Sequence, residues 1–172
     1  FTGNTNGTGT IRYFGDIGSG LVERTRIYDN KMALAGYAIA GAVGADATDP
    51  TELTIRNSTI SGNHGNGPAV RANDDAVLRV GSATIAGNDG PGLWSSFDTT
   101  IKNTILAANG TDNCVTTSPS SLGYNLDSRD DCKLGGPGDI VNGNAALGAL
   151  KDNGGPNWTR AVRTSSDARH DR

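Results

Sequence analysis

The stretch LTIRNSTISGN, residues 53–63, sets the pattern for most of the chain. Its apolar residues Leu53 and Ile55 alternate with polar ones, and after a polar step a Thr-Ile pair leads to a closing Gly-Asn. This pattern predicts a short strand, a corner and a second short strand that ends in a turn. The stretch LRVGSATIAGN, residues 78–88, repeats it closely. A unit this small cannot bury its apolar face alone, so the repeat predicts units stacked on one another.

Weaker copies flank these two. Residues 21–30 and residues 100–109 each end in an asparagine, while GPAV at 67–70 and GPGL at 90–93 form a second, independent repeat signal. Successive closing asparagines are 21 to 33 residues apart. This variation indicates loops of different length inserted into one circumference. The closing asparagines are Asn4, Asn30, Asn63, Asn88 and Asn109.

The first four residues, FTGN, match the end of the repeat rather than its beginning. We therefore expect the first unit to be truncated, with further turns upstream in a longer protein.

The closing asparagines predict a ladder. Stacked strands lie about 4.8 Å apart, so asparagines that recur at one corner can hydrogen-bond to each other and also adopt the left-handed conformation of the corner. The sequence thus predicts an all-β fold, a right-handed parallel β-helix (a solenoid) of about four to five turns. An antiparallel sandwich has turn signals of similar spacing. Its strands have no reason to share a closing Gly-Asn, which favours the coil.

Residues 32–43 allow two interpretations. The segment MALA at 32–35 is good helix-forming material, so a buried helix is one of them. The glycines and the place between two copies favour the other, a strand of small residues, followed by a loop over residues 44–50.

Composition agrees with a thin core. Of the 172 residues, 35% are hydrophobic, 5% are aromatic and 25 are glycine, and a solenoid needs only a narrow inner stripe in each turn. The net charge of -3 gives no basic field for nucleic acid. No uninterrupted apolar run reaches about 18 residues, so a membrane-spanning helix is not expected.

From Thr111 onward the repeat stops, and the two cysteines follow. Cys114 and Cys132 predict a disulfide and an oxidising compartment, with a pair of free thiols as the alternative. A bond here would close the end of the stack, where the last turn needs covering. The predicted organisation is β-helix turns over residues 1–112, a C-terminal cap over 113–162 and a flexible tail over 163–172.

The copies and the predicted cap together resemble a known family. The closing ILAAN at 105–109 is followed by SLGYNL at 121–126, the pair Asp131-Cys132, Gly138-Asp139, and LGALKDNGGP at 147–156. These segments are similar to those of bacterial right-handed parallel β-helix proteins, related to pectate-lyase-like and polymorphic outer-membrane proteins. The resemblance covers residues 50–162. It implies a secreted, extracellular or cell-surface location, and most members have no established activity.

The pectate-lyase-like architecture raises the question of a catalytic site. Asp74 and Asp75, with Arg71 and Arg79, are the best local candidates for a calcium-assisted lyase, which needs converging carboxylates and a base. Adjacent strand residues point to opposite faces, so a solvated loop is the favoured interpretation.

Other candidate residues are similarly isolated. Asp98 has no acidic partner at the matching place, where Val77 or Leu78 falls, and His64 is interpreted as a turn residue. Asp127, Asp130 and Asp131 could hold calcium in the cap, but a solvated loop with Arg129 as its counter-charge is favoured. The sequence therefore predicts no catalytic residues, no metal and no cofactor.

We hypothesise from these observations a non-enzymatic extracellular module, structural or adhesive, that can associate with its own subunits into a stalk or filament. Its partners would be neighbouring β-helix turns, its own subunits or surface polysaccharide, and not nucleic acid. The alternative is a polysaccharide-binding or polysaccharide-cleaving, lyase-like domain with residues 44–52 as one groove wall. Sugar binders usually expose several aromatic residues, and here they are few and scattered.

Overall fold

The computed structural model describes residues 1–6, 9–14, 18–32, 41–47, 51–116 and 119–169. The regular structure in these residues is made of β-strands, and all but one of the strand pairs in them are parallel. The fold is therefore all-β with mostly parallel strands. No helix in the described part of the chain is long and apolar enough to cross a membrane.

Most strands belong to three parallel sheets. Sheet I contains, in chain order, β3 (Gly18–Glu23), β7 (Thr51–Arg56), β10 (Val77–Gly81), β13 (Thr99–Lys102) and β16 (Ser120–Ser121). Sheet II contains β4 (Arg26–Tyr28), β8 (Thr59–Ser61), β11 (Thr84–Ala86), β14 (Ile105–Ala107), β17 (Leu126–Asp127) and β18 (Ile140–Val141). Sheet III contains β2 (Gly9–Phe14), β6 (Gly41–Ala47), β9 (Val70–Asp74), β12 (Leu93–Ser95) and β15 (Cys114–Thr116).

Two pairs lie outside these sheets. The short strands β1 (Thr5–Asn6) and β5 (Lys31–Met32) pair in parallel. The strands β19 (Leu147–Lys151) and β20 (Thr159–Val162) form an antiparallel hairpin, which is the one antiparallel pair among the described residues.

The chain visits the three sheets in rotation. From β6 to β17 each strand enters the next sheet, and each strand from β9 onward pairs in parallel with the strand three before it. We call one passage through the three sheets a cycle. The copies in the sequence are the first two strands of successive cycles. The parallel pairing rules out the antiparallel sandwich that the sequence left as an alternative.

Inward side chains of successive cycles stack in register. Leu53 faces Leu78, and Ile60 faces Ile85, which faces Leu106 in turn. All five are buried, and a fully buried Leu or Ile contributes about 1.5–3 kcal/mol. The core is thus a stack of aliphatic columns. Their further members are Ile55, Val80 and Ile101 in sheet I, and Val70, Leu93 and Cys114 in sheet III.

Left-handed residues mark two of the corners in each cycle. We call the corner between sheets I and II the first corner, and the corner between sheets II and III the second corner. At the second corner the residue with positive φ precedes the asparagine, as in Gly62 (φ 65°) before Asn63 and Gly87 (φ 68°) before Asn88. The expectation that the asparagines themselves adopt this conformation is therefore wrong. The preceding residue makes the bend, and this leaves the asparagine side chain directed inward.

Residues 32–43 contain strand where the structure describes them. Met32 ends β5, and β6 runs from Gly41 to Ala47 between β2 and β9. The loop expected over residues 44–50 is wrong for 44–47, because these residues pair with β9 as far as Asp74. The remaining parts of the two predictions, residues 33–40 and 48–50, lie outside the described residues.

The sheets continue into the region predicted as a cap. Strands β15 to β18 extend all three sheets beyond residue 112. The chain then crosses the outer face of sheet II and forms a second, smaller core there. Its buried members are Ala86, Ala107, Leu126 and Ala145, with Ile105, Ile140, Leu147 and Ala168 packed against them.

Candidate functional site

The five closing asparagines form one hydrogen-bonded column inside the second corner. The Nδ2 atom of each donates to the Oδ1 atom of the next, from Asn4 through Asn30, Asn63 and Asn88 to Asn109, over 2.8–2.9 Å. Each Oδ1 also accepts the backbone N–H of the preceding asparagine. Every cycle is thereby joined to the next through side chains as well as through its strands.

The column extends two rungs further than the sequence indicates. Asn109 donates to Oδ1 of Asn113 at 3.0 Å, and Asn113 donates to Oδ1 of Asp127 at 2.8 Å. Asp127 is fully buried, and its carboxylate also accepts the backbone N–H groups of Arg129 (3.0 Å) and Cys132 (2.9 Å). All six amides donate in one direction, so the column ends on a negative charge. Aligned bonds of this kind polarise one another in a low-dielectric interior.

A second, partial column lies inside the first corner. The hydroxyl of Ser58 accepts the backbone N–H of Thr25 at 3.1 Å, and Oδ1 of Asn125 accepts that of Thr104 at 2.9 Å. Asn125 in turn donates its Nδ2 to Oδ1 of Asp139 at 3.0 Å. Both columns therefore end on an aspartate in the region after residue 112.

The disulfide lies beside the end of the first column. Cys114 and Cys132 are bonded and buried, with their Cα atoms 4.9 Å apart, which confirms the predicted pairing. Asp131 accepts the backbone N–H groups of Asn113 at 2.8 Å and Cys114 at 3.0 Å. The donor atoms of the two cysteines and Asp131 lie within 4.8 Å of one another. Both sulfurs are held in the disulfide, so they cannot serve as thiolate ligands.

The solvated loop expected around Asp127, Asp130 and Asp131 is wrong for Asp127, which is buried and accepts three protein donors. Arg129 is not its counter-charge, because its Nη2 atom donates to the carbonyl of Gly110 at 3.1 Å. Asp130 pairs with Lys133 at 3.6 Å. Asp127 and Asp131 thus accept hydrogen bonds from backbone N–H groups of the protein itself. In a solvated loop, water would accept these hydrogen bonds.

Burial raises the pKa of the Asp131 carboxyl above 3.8, against the opposing effect of its two backbone hydrogen bonds. A carboxyl with a raised pKa in the folded state binds more protons than it does in the unfolded chain, so its contribution to stability falls as the pH rises above about 3.8. We expect Asp131→Asn to remove this part of the pH dependence. Urea unfolding of both proteins from pH 3 to pH 7 measures it. The stability of the wild type relative to the variant should decline with rising pH, and a constant difference would contradict the assignment.

The proposed lyase residues are not brought together. Arg79, in sheet I, pairs with Glu52 at 2.7 Å, and this hydrogen bond lowers the pKa of Glu52. Arg71, in sheet III, lies over the ring of Trp94 at 4.8 Å. Asp74 and Asp75 are exposed at the end of β9.

Asp98 and His64 lie at different places in the cycle, Asp98 between sheets III and I and His64 after sheet II. Asp98 is exposed and lies beside Val77, as the sequence predicts, because Leu78 pairs with Thr99. His64 is half-exposed, and its two ring nitrogens each lie 3.2 Å from a carboxylate oxygen, one of Asp29 and one of Asp89. It thus links side chains of three successive cycles at the surface.

The β19–β20 hairpin is fastened back onto earlier cycles. Arg160, in β20, donates from Nη1 to Oγ of Ser61 at 3.2 Å and to the carbonyl of Ala86 at 3.3 Å. Its Nε donates to the carbonyl of Gly148 within the hairpin. Burial lowers the pKa of this guanidinium. Arg160 thus joins the hairpin to two strands of sheet II.

The loop of the hairpin reaches β4, the first strand of sheet II. Trp158 stacks on Tyr28 with ring centroids 6.2 Å apart, and the guanidinium of Arg26 lies 4.6 Å from the Trp158 ring. Asn157 donates to the carbonyl of Arg24. The hairpin therefore spans sheet II from its last strands to its first.

We expect Arg160→Ala to loosen the hairpin without unfolding the sheets. The substitution removes three hydrogen bonds from a charged donor, two of which join the hairpin to sheet II. Amide hydrogen exchange over residues 147–162 should accelerate about tenfold, equivalent to about 1.4 kcal/mol of local stability. Arg163→Ala is the matched control, since Arg163 is exposed next to the same strand. Equal acceleration in both variants would contradict the role of Arg160.

Two grooves flank the hairpin on the outer face of sheet II. The larger, of about 580 Å³, is lined by residues of the first corner, of sheet II and of β20, among them Asn103, Tyr124 and Val162. The smaller, of about 410 Å³, lies on the other side and includes Ala107 and Arg160. These are concave surfaces at which the described part of the chain could take a ligand.

Several residues of these sites carry weak sequence signals. Asn113 and Asn125 lie outside the repeat, and Asp127 and Asp139 look like loop acids. Ser58, the polar residue before the Thr-Ile pair of the first copy, does belong to the second column. Arg160 has no local signal, because its two partners in sheet II are 74 and 99 residues away.

Comparison of the chain with protein-family models, with curated proteins and with solved structures finds no match.

Proposed function

We propose that the chain is a right-handed parallel β-helix of the pectate-lyase-like type with a disulfide-bonded cap, and that it serves as a non-enzymatic extracellular module. The rotation of strands through three parallel sheets supports the architecture. In this proposal each cycle is one turn of the helix. The similar segments at 121–126 and 147–156 support the family assignment.

The observation that carries the proposed function is the continuous column from Asn4 to Asp127. Burying a polar group costs free energy unless the group is hydrogen-bonded. The six amides and the carboxylate of this column are hydrogen-bonded to one another, and these bonds hold the cycles together. This suits a stalk or an adhesive rod that must keep its length and shape. The disulfide suits an oxidising location such as the cell surface.

The exposed charged residues support a non-enzymatic role. A calcium-assisted lyase needs several oxygen ligands and a base at one place. Arg71 and Arg79 lie on different sheets, and Arg79 is already paired with Glu52. Among the described residues these candidates therefore form no converging cluster.

Incubation with calcium and polygalacturonate, followed by ultraviolet absorbance of unsaturated products, tests the absence of lyase activity. Light scattering and electron microscopy over a range of protein concentrations test self-association. We expect no unsaturated product and assemblies that grow with concentration. Product formation would overturn the non-enzymatic role, and a monomer at every concentration would overturn the stalk or filament.

The second candidate function is polysaccharide binding. The larger groove favours it, because Tyr124 presents an exposed aromatic ring at its edge, with 66% of the residue accessible.

A further inference from the structure

The larger groove has an apolar floor and a polar rim. Ile105, Leu126 and Ile140 of sheet II contribute to its lining, and Val162 of β20 lies on the hairpin side. Ligand sites are typically concave and mostly apolar, with a few polar groups that orient the ligand. This groove has that composition within about 580 Å³.

Tyr124 provides a fixed aromatic surface. Its backbone is left-handed (φ 58°), and its ring lies against Gly138, where an added Cβ would approach the ring Cδ1 atom to 2.8 Å. Any larger residue at position 138 would push the ring away. One part of the ring is thus supported by backbone, while 66% of the residue stays accessible. An exposed aromatic side chain held in this way loses little conformational freedom on binding.

Polar groups continue from Tyr124 along the same corner. Asn103 and Ser82 occupy the equivalent left-handed position in the two preceding cycles, and Asn103 donates its Nδ2 to Oγ of Ser82 at 3.1 Å. Neighbouring strands lie about 4.8 Å apart, so Ser82 is roughly 10 Å from Tyr124 along the corner. A ligand that stacks on the ring and reaches Ser82 must therefore be elongated.

The charged residues of the lining indicate what charge a ligand of this groove can carry. None of the described residues that line the groove is a lysine, an arginine or a histidine, and the one ionisable acid is Asp167. Oδ2 of Asp167 accepts the backbone N–H of Asn144 at 2.7 Å. Without a cationic partner an acidic ligand would meet only a carboxylate, so uronates are disfavoured.

We propose that this groove binds a neutral oligosaccharide of two or three units, with one sugar stacked on Tyr124 and the next hydroxyl groups hydrogen-bonded by Asn103 and Ser82. The aromatic ring stacks on the apolar face of a sugar, while the amide and the hydroxyl hydrogen-bond to the sugar's hydroxyl groups. The site deepens the adhesive part of the proposed function, on which it rests, and needs no catalysis.

Saturation-transfer NMR with millimolar maltotriose, cellotriose and mannotriose, and with trigalacturonate as the acidic counterpart, tests the site. We expect transfer to at least one neutral trisaccharide, and an affinity about tenfold lower in Tyr124→Ala. Phe97→Ala is the matched control, because Phe97 is an exposed aromatic residue at the corner between sheets III and I. Tyr124→Phe should retain binding, since it keeps the ring.

The proposal is overturned if none of the three neutral trisaccharides binds, if Tyr124→Ala binds the positive one as well as the wild type does, or if trigalacturonate binds equally. Urea unfolding of each variant checks that the exposed substitution leaves the fold intact. Self-association is measured without sugar, so a negative binding result leaves the proposed stalk or filament standing, and a monomeric protein leaves the binding result standing.

Discussion

Replacing Asn88 by aspartate is expected to lower the free energy of unfolding at pH 7 by about 4 kcal/mol. The Nδ2 atom of Asn88 donates to Oδ1 of Asn109 at 2.8 Å and to the carbonyl of Ile60 at 3.2 Å. A carboxylate of the same shape would direct an oxygen at these two acceptors, in the interior and with no counter-charge beside it in the described part of the chain. Urea unfolding with the disulfide intact measures the loss.

Asn66→Asp is the matched control for this experiment, because it makes the same chemical change at an exposed loop position. We expect its effect to stay within about 0.5 kcal/mol, as for most surface substitutions. Similar losses in both variants would show that added charge, and not the broken column, is responsible.

The reverse substitution at the end of the column, Asp127→Asn, is expected to cost about 3 kcal/mol. The two carboxylate oxygens accept three donors, from Asn113, Arg129 and Cys132. An amide has only one acceptor oxygen, so in either orientation its NH2 group faces at least one buried donor. Hydrogen bonds to charged groups are also stronger than those to neutral ones.

Asp130→Asn serves as its control in the same loop. Asp130 is partly exposed, its one charged partner among the described residues is Lys133, and asparagine tolerates its left-handed backbone (φ 63°). Its loss should be below about 1 kcal/mol. If Asp127→Asn were as mild as this control, the buried carboxylate would not be needed to end the column.

These two experiments together test the polarity of the column. Neutral amides are required inside it because each must both accept and donate. A carboxylate is expected at its end because the last residue must accept three donors on two oxygens and donate none. Exchanging the two residue types therefore harms both positions, for opposite reasons.

The sequence predicted the strands and the positions of Asn63 and Asn88 well, because both follow from local alternation and a repeated turn. It did not predict Asn113 as a rung, since this residue follows Asn109 after only four positions and not after a full cycle. It placed Asp127 in a solvated loop for a similar reason. The burial of Asp127 depends on register with Leu106, a neighbour across the sheet.

The β19–β20 hairpin shows a second limit of prediction from the sequence. Its strands are short and mostly exposed, so hydrophobic alternation carries little information there. Its position depends on Arg160 and Trp158, whose partners lie in cycles far earlier in the chain. Pairing over such distances has no local signature in a single sequence.

The one-way direction of the amide column has a consequence for how proteins of this kind change in size. Within the column, each asparagine between Asn30 and Asn109 hydrogen-bonds to the rung before it and to the rung after it. These bonds do not depend on the total number of rungs. Duplicating the segment 64–88 would insert one more rung and lengthen the stack of cycles by about 4.8 Å, with both ends unaltered. The amide column itself cannot continue beyond Asp127, because a carboxylate accepts hydrogen bonds and donates none. Duplication of interior segments would therefore change the length of the stack, while Asp127 stays at the end of the column.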